Sequence, residues 1–159
     1  MQPSKKVRIG LLVFFGVAVI FIVSSGHFFE RKTEAEIVFA HTTVRAEVAD
    51  TESSRIRGLS GRAPLPDGAG MWFDFDASGT PGIWMKEMNF PLDILWFDEG
   101  LHVVFVKENA LPESYPEVFS PPSQFSPARY VLEVPAGFVK KYGVSLGENV
   151  SLQKKGLVP

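Results

Sequence analysis

The chain contains no cysteine. Disulfide stapling, thiolate nucleophiles and thiolate metal sites are therefore excluded together, and the fold has to rest on an apolar core. Histidine is scarce: beyond the first 29 residues only His41 and His102 remain. Two histidines without cysteine do not make a zinc site of the usual kind. An oxygen-rich site drawing on Asp93, Asp98 or Glu133 stays open, but no spacing supports it, and neither a metal nor another cofactor is expected. A basic stripe is missing too. With Lys5, Lys6 and Arg8 set aside, 13 of the 16 basic residues face 18 acidic ones, a formal charge of −5 on the rest of the chain. That balance argues against nucleic acid and against adhesion to anionic lipid.

What is present begins with one long apolar run. Ile9 to Val23 is uninterrupted, Lys5, Lys6 and Arg8 precede it, and residues 24–29 extend it towards the roughly 20 residues that cross a bilayer. Residues 1–29 read as a retained membrane anchor. A cleaved signal peptide is the alternative, because Ser24 and Gly26 fit a small-x-small cleavage site. Basic residues at the extreme N-terminus hold that end in the cytoplasm, so both readings place the remaining chain outside it, tethered to the membrane or released to the periplasm. Residues 30–42 then supply a charged tether with a possible short strand at 37–39, and 43–155 the domain proper.

The domain is organised around Ile83 to Val106. Leu92 to Phe97 is apolar on both alternating faces, as a strand covered on both sides should be. Asp98-Glu99-Gly100 turns it into a second run, Leu101 to Val106, with Gly100 expected as the left-handed residue of a three-residue hairpin loop. Thr43 to Ala49 alternates as a half-buried strand, and Met71 to Asp76 alternates with Met71, Phe73 and Phe75 inward and Trp72 outward. Thr51 to Ser54 offer N-caps for a helix of one or two turns before Gly58. Five prolines between Ala110 and Pro127 predict a long surface loop, a candidate lid. Strands at 129–134 and 149–153 flank a short helix at 136–142. Short strands, two short helices and no βαβ rhythm predict a mainly β single domain, an antiparallel sheet curled into a small barrel or sandwich.

Four strings, RIRGLSGR (55–62), GMWFDF (70–75), IWMKEMNFPLDILWFD (83–98) and YVLEVPAG (130–137), resemble the DUF192 family of small, mostly exported bacterial and archaeal proteins. The likeness spans roughly 43–152. It implies a barrel-like β domain and no activity. Position by position, the family's recurring polar and aromatic residues fall on Arg55, Arg62, Trp84, Met85, Lys86, Asp93 and Glu133. Two positions depart from the pattern: Ser60 stands where Met usually follows Gly-Leu, and Glu87 where Asn is common after Trp-Met-Lys.

Weighed as chemistry, Asp74-Phe-Asp76-Ala-Ser78-Gly79 opens like a calcium loop, but its twelfth position is Met85 and not Glu, so a strand end with outward carboxylates is the better reading. A triad of Ser60, His102 and Asp93 has no spacing to recommend it. Lys86, Asp93 and Glu133 lie in or beside apolar strands, where an unpaired charge costs several kcal/mol. They are expected to pair with one another or with Arg55 and Arg62, as structural struts or as the floor of a pocket walled by Trp84, Met85 and Trp96. The leading expectation is an extracytoplasmic binding or interaction module for a small molecule or an envelope protein. The alternatives are a hydrolase using Asp93 and Glu133, and a structural accessory docking through Phe119 and Phe125.

Overall fold

A computed structural model describes residues 33–122 and 127–155. Nine strands and two short helices form the described domain: β1 (Glu34–Val38), β2 (Thr43–Ala49), α1 (Glu52–Arg57), β3 (Ala69–Gly79), β4 (Ile83–Trp84), β5 (Leu92–Phe97), β6 (Val103–Ala110), β7 (Val118–Phe119), β8 (Ala128–Pro135), α2 (Phe138–Tyr142) and β9 (Ser151–Lys155). Among these residues no helix is long and apolar enough to cross a membrane, and the expected span at 1–29 lies outside them.

Seven strands make one sheet in the order β6-β5-β8-β3-β2-β1-β9, while β4 and β7 form a separate ribbon. The most apolar segment lies one strand in from the β6 edge, where β5 pairs antiparallel with both β6 and β8 and all six of its residues are buried. The sheet carries a core on each face. One gathers Ile37, Trp72, Phe97, Leu132 and Phe138, and the other Leu59, Phe73, Met85, Ile94 and Trp96.

The mainly β expectation holds, and several details differ. The sheet is not closed into a barrel. Its edge strands β6 and β9 do not pair; an isolated bridge between His102 and Asn149 joins the segments that lead into them before β9 diverges to β1. One pairing is parallel: β2 runs alongside β3, and α1 lies in the crossover between them. Trp72, expected outward, is buried, because β3 is packed on both faces. Residues 34–36, expected in the tether, lie in β1, paired with β2 and β9.

The β5–β6 turn also differs in chemistry. Leu101 takes the left-handed backbone, with φ 62°, and Gly100 does not. Gly100 is small for another reason: a Cβ there would lie 2.9 Å from the His102 ring. The Asp98 carboxylate closes the turn, accepting the His102 backbone N–H at 2.9 Å.

The proline-rich segment is more ordered than a loop. β6 continues to Ala110, Pro112–Ser114 form one 3-10 turn, and β7 pairs with β4 through Ile83↔Phe119 and Trp84↔Val118. Proline removes a donor only at its own position, so the stretch between Pro116 and Pro121 is free to pair. Phe119, expected to be exposed, is buried; Phe125 lies outside the described residues.

Candidate functional site

Thr51 starts α1 with a reciprocal capping box: its hydroxyl accepts the Ser54 N–H at 3.1 Å, and the Ser54 hydroxyl accepts the Thr51 N–H at 3.0 Å. Arg55, one turn on, clamps the helix to β3. Its Nη1 donates to the carbonyls of Asp50 at 2.9 Å and Asp74 at 2.7 Å, its Nη2 reaches Asp76 Oδ2 at 3.1 Å, and its guanidinium covers the Phe75 ring at 5.6 Å. Phe73 and Phe75, two residues apart on β3, share a face and stack at 6.4 Å. The β4 ribbon stands opposite, braced by β7: a Cβ on Gly82 would come within 2.6 Å of Val118 Cγ1.

Between α1, β3 and β4 lies a cavity of about 210 Å³, lined by Glu52, Arg55, Ile56, Phe73, Phe75, Gly82, Ile83, Trp84 and Glu133. Its walls are mostly apolar, and its buried carboxyl is Glu133. This residue pairs with Met71 of β3 and Ile94 of β5 in register and is 5% exposed. Its Oε2 has no hydrogen-bond partner among the described residues. Burial pushes the carboxyl up to about 8, against the opposing pull of the Arg62 charge. Arg62 does not reach over to neutralise it. Its fork is taken by Glu47, at 2.7 and 2.9 Å, and that hydrogen-bonded pair raises the guanidinium further.

Of the seven residues singled out from sequence, Arg55, Trp84 and Glu133 line the cavity, and Arg62 acts on it through its charge. The other three do not. Met85 is core. Lys86 is exposed outside the lining, and its carbonyl accepts the Ser60 hydroxyl at 2.8 Å. Asp93 is fully buried, but its neighbours on β5 of the same parity, Leu95 and Phe97, belong to the core opposite the one that holds Ile94. Glu133 lies beside Ile94 and Asp93 beside Val134, so strand alternation sends the two carboxyls to opposite faces of the sheet. A hydrolase built on that pair is excluded by this geometry.

Asp93 is a strut of a kind the sequence did not suggest. Instead of an ion pair it accepts two backbone N–H groups at 2.9 Å, from Asn109 and from Val139 in the first turn of α2. Trp96, expected as a pocket wall, is core and donates to the Pro81 carbonyl at 2.9 Å. Trp84, expected as a pocket wall, lines the cavity and is 43% exposed.

The other motifs resolve into local structure. Asp74 is held by Arg129 at 3.2 Å and Lys154 at 3.1 Å, and Asp76 by Arg55. Among the described residues no three His, Asp or Glu side chains converge as a metal would require. His102 pairs with Asp98 at 3.2 Å within the β5–β6 turn and does not line the cavity. Neither position that departs from the DUF192 pattern lines the cavity. Glu87 has a left-handed backbone, φ 56°, a conformation that Asn tolerates better than Glu. The lining residues that sequence reasoning missed are chiefly Phe73 and Phe75, whose alternation was legible although their role as walls was not.

Comparison with known proteins agrees with this architecture. The model of the DUF192 family, described as an uncharacterized conserved family, matches residues 33–152. No curated protein matches the chain. A crystal structure from Sinorhizobium meliloti 1021, of a protein provisionally described as a transcription regulator, is 33% identical with a TM-score of 0.66, and the match covers 79% of this chain and 95% of that one. A protein of unknown function from Novosphingobium aromaticivorans DSM 12444 is 25% identical with a TM-score of 0.65, covering 76% of this chain and 84% of its own.

Proposed function

The chain belongs to the DUF192 family, described as uncharacterized, and from the chain's own geometry we propose that it is a small-ligand binding module held outside the cytoplasm. The observation that carries the reading is Glu133: a buried carboxyl oxygen without a partner among the described residues, lining a cavity whose apolar walls include Phe73, Phe75, Ile83 and Trp84. A buried polar group left unpaired costs about 1–3 kcal/mol. A few convergent polar groups in an otherwise apolar pocket are what a binding site needs to orient a ligand. The apolar run at 9–23, with Lys5, Lys6 and Arg8 before it, supports the extracytoplasmic placement.

Neither a cofactor nor a water-activating pair is part of the proposal, and binding is its whole content. Thermal melting of the full chain against a library of small metabolites tests it. A ligand at 100 times its dissociation constant adds about 2.7 kcal/mol. That gain should disappear in Trp84→Ala and persist in Lys86→Ala, since Lys86 lies outside the cavity. A gain lost equally in both variants would place the site elsewhere.

A further inference from the structure

We propose that the cavity takes a small organic cation, an ammonium group on a compact apolar body, with the ammonium against Glu133 and the body against Phe73, Phe75 and Trp84. This rests on the pocket reading above and adds the chemistry of the ligand.

Charge decides first. The cations near the cavity are already engaged, Arg55 by Asp76 and two carbonyls, Arg62 by Glu47 in a two-pronged bond. What faces the cavity beyond them is Glu133 inside and Glu52 among the lining residues. An anion would meet the Glu52 carboxylate and guanidinium groups already engaged by Asp76 and Glu47, so it is disfavoured. A neutral acceptor would take one hydrogen bond from a protonated Glu133. An ammonium gives the carboxylate a charge-assisted bond, roughly twice as strong.

Size agrees. A cavity of about 150 Å³ holds benzene, so about 210 Å³ holds one ring with a short arm. The groups that face Glu133 are accounted for from each side: Arg62 after α1 with Glu47 of β2 behind it, Arg55 and Glu52 of α1, and the uncharged Met71, Ile94, Ile83 and Trp84 of β3, β5 and β4. Because burial holds the Glu133 carboxyl near 8, it carries its proton at neutral pH, and a cation that binds as a partner to the carboxylate expels that proton.

The test is calorimetric titration of the full chain in detergent at pH 7 and pH 8, in two buffers of different ionisation enthalpy. Benzylamine, benzyl alcohol and benzoate serve as probes. Benzylamine should bind more tightly than the alcohol, by a margin that widens from pH 7 to pH 8 as the cost of expelling the proton falls, with release of about one proton per site at pH 7, and benzoate should not bind. Glu133→Gln should bring benzylamine down to the level of the alcohol and leave alcohol binding in place, which also shows that the variant is folded. Trp84→Ala, at an exposed wall position, should weaken both. Alcohol binding as tight as amine binding, benzoate binding, or amine binding without proton release would overturn the cation inference and leave the pocket standing. Binding of none of the three would overturn both.

Discussion

Glu133 couples folding to pH in a direction opposite to that of most carboxylates. Its folded value near 8 lies above the ordinary 4.5, so between these two the folded chain holds a proton that the unfolded chain has lost. Its contribution to stability is complete below pH 4.5 and declines until pH passes 8, at no more than about 1.4 kcal/mol per pH unit. Urea unfolding across that window should show the decline in the wild type and a flatter profile in Glu133→Gln. Asp93 plays the opposite part. Replacing it with Ala strips the acceptor from two backbone N–H groups and should cost about 2–4 kcal/mol in the same assay. Both residues were picked out in the sequence as charges among apolar neighbours, but strand parity placed them on opposite faces, and pairing partners could not be read from one strand alone. At Glu87, with φ 56°, substitution by Asn should stabilise by about 0.5–1 kcal/mol, read as a higher melting temperature, because a left-handed backbone strains Glu more.

Among the elements, the β2–α1–β3 crossover builds the site, and it was the least legible. Its helix was legible from the caps at Thr51 to Ser54, but at six residues it is too short to show the rhythm of a parallel unit, so the parallel pairing of β2 with β3 was not expected. The parallel pairing draws β3 tightly between β2 and β8. A Cβ on Gly70 would lie 2.7 Å from the Glu133 backbone carbonyl and 3.0 Å from Val44 Cγ1. Gly70→Ala should therefore destabilise by about 1–3 kcal/mol in chemical unfolding, and a neutral result would mean that β3 and β8 are less closely packed than described. The local patterns fared better: β2 and β5 occupy the bounds that alternation and apolar content predicted, Thr43–Ala49 and Leu92–Phe97. The β4–β7 ribbon was hidden because each strand has two residues, below the length at which periodicity exists.

At the scale of the molecule, the strands were readable and their assembly was not. Closure depends on whether β6 meets β9, and a single bridge at His102 and Asn149 is a matter of curvature that composition does not encode. The cavity is likewise a product of assembly: Arg55, Trp84 and Glu133 are far apart in sequence and meet only because α1, the ribbon and β8 converge. The central claim is that Glu133 is a buried carboxyl awaiting a ligand. Carbon-13 detected titration of its side chain, in the full chain with and without saturating benzylamine, tests this most directly. The account predicts a midpoint near 8 in the free protein and a fall of that midpoint when the amine is bound. An ordinary glutamate midpoint in the free protein, or one unmoved by the amine, would contradict it.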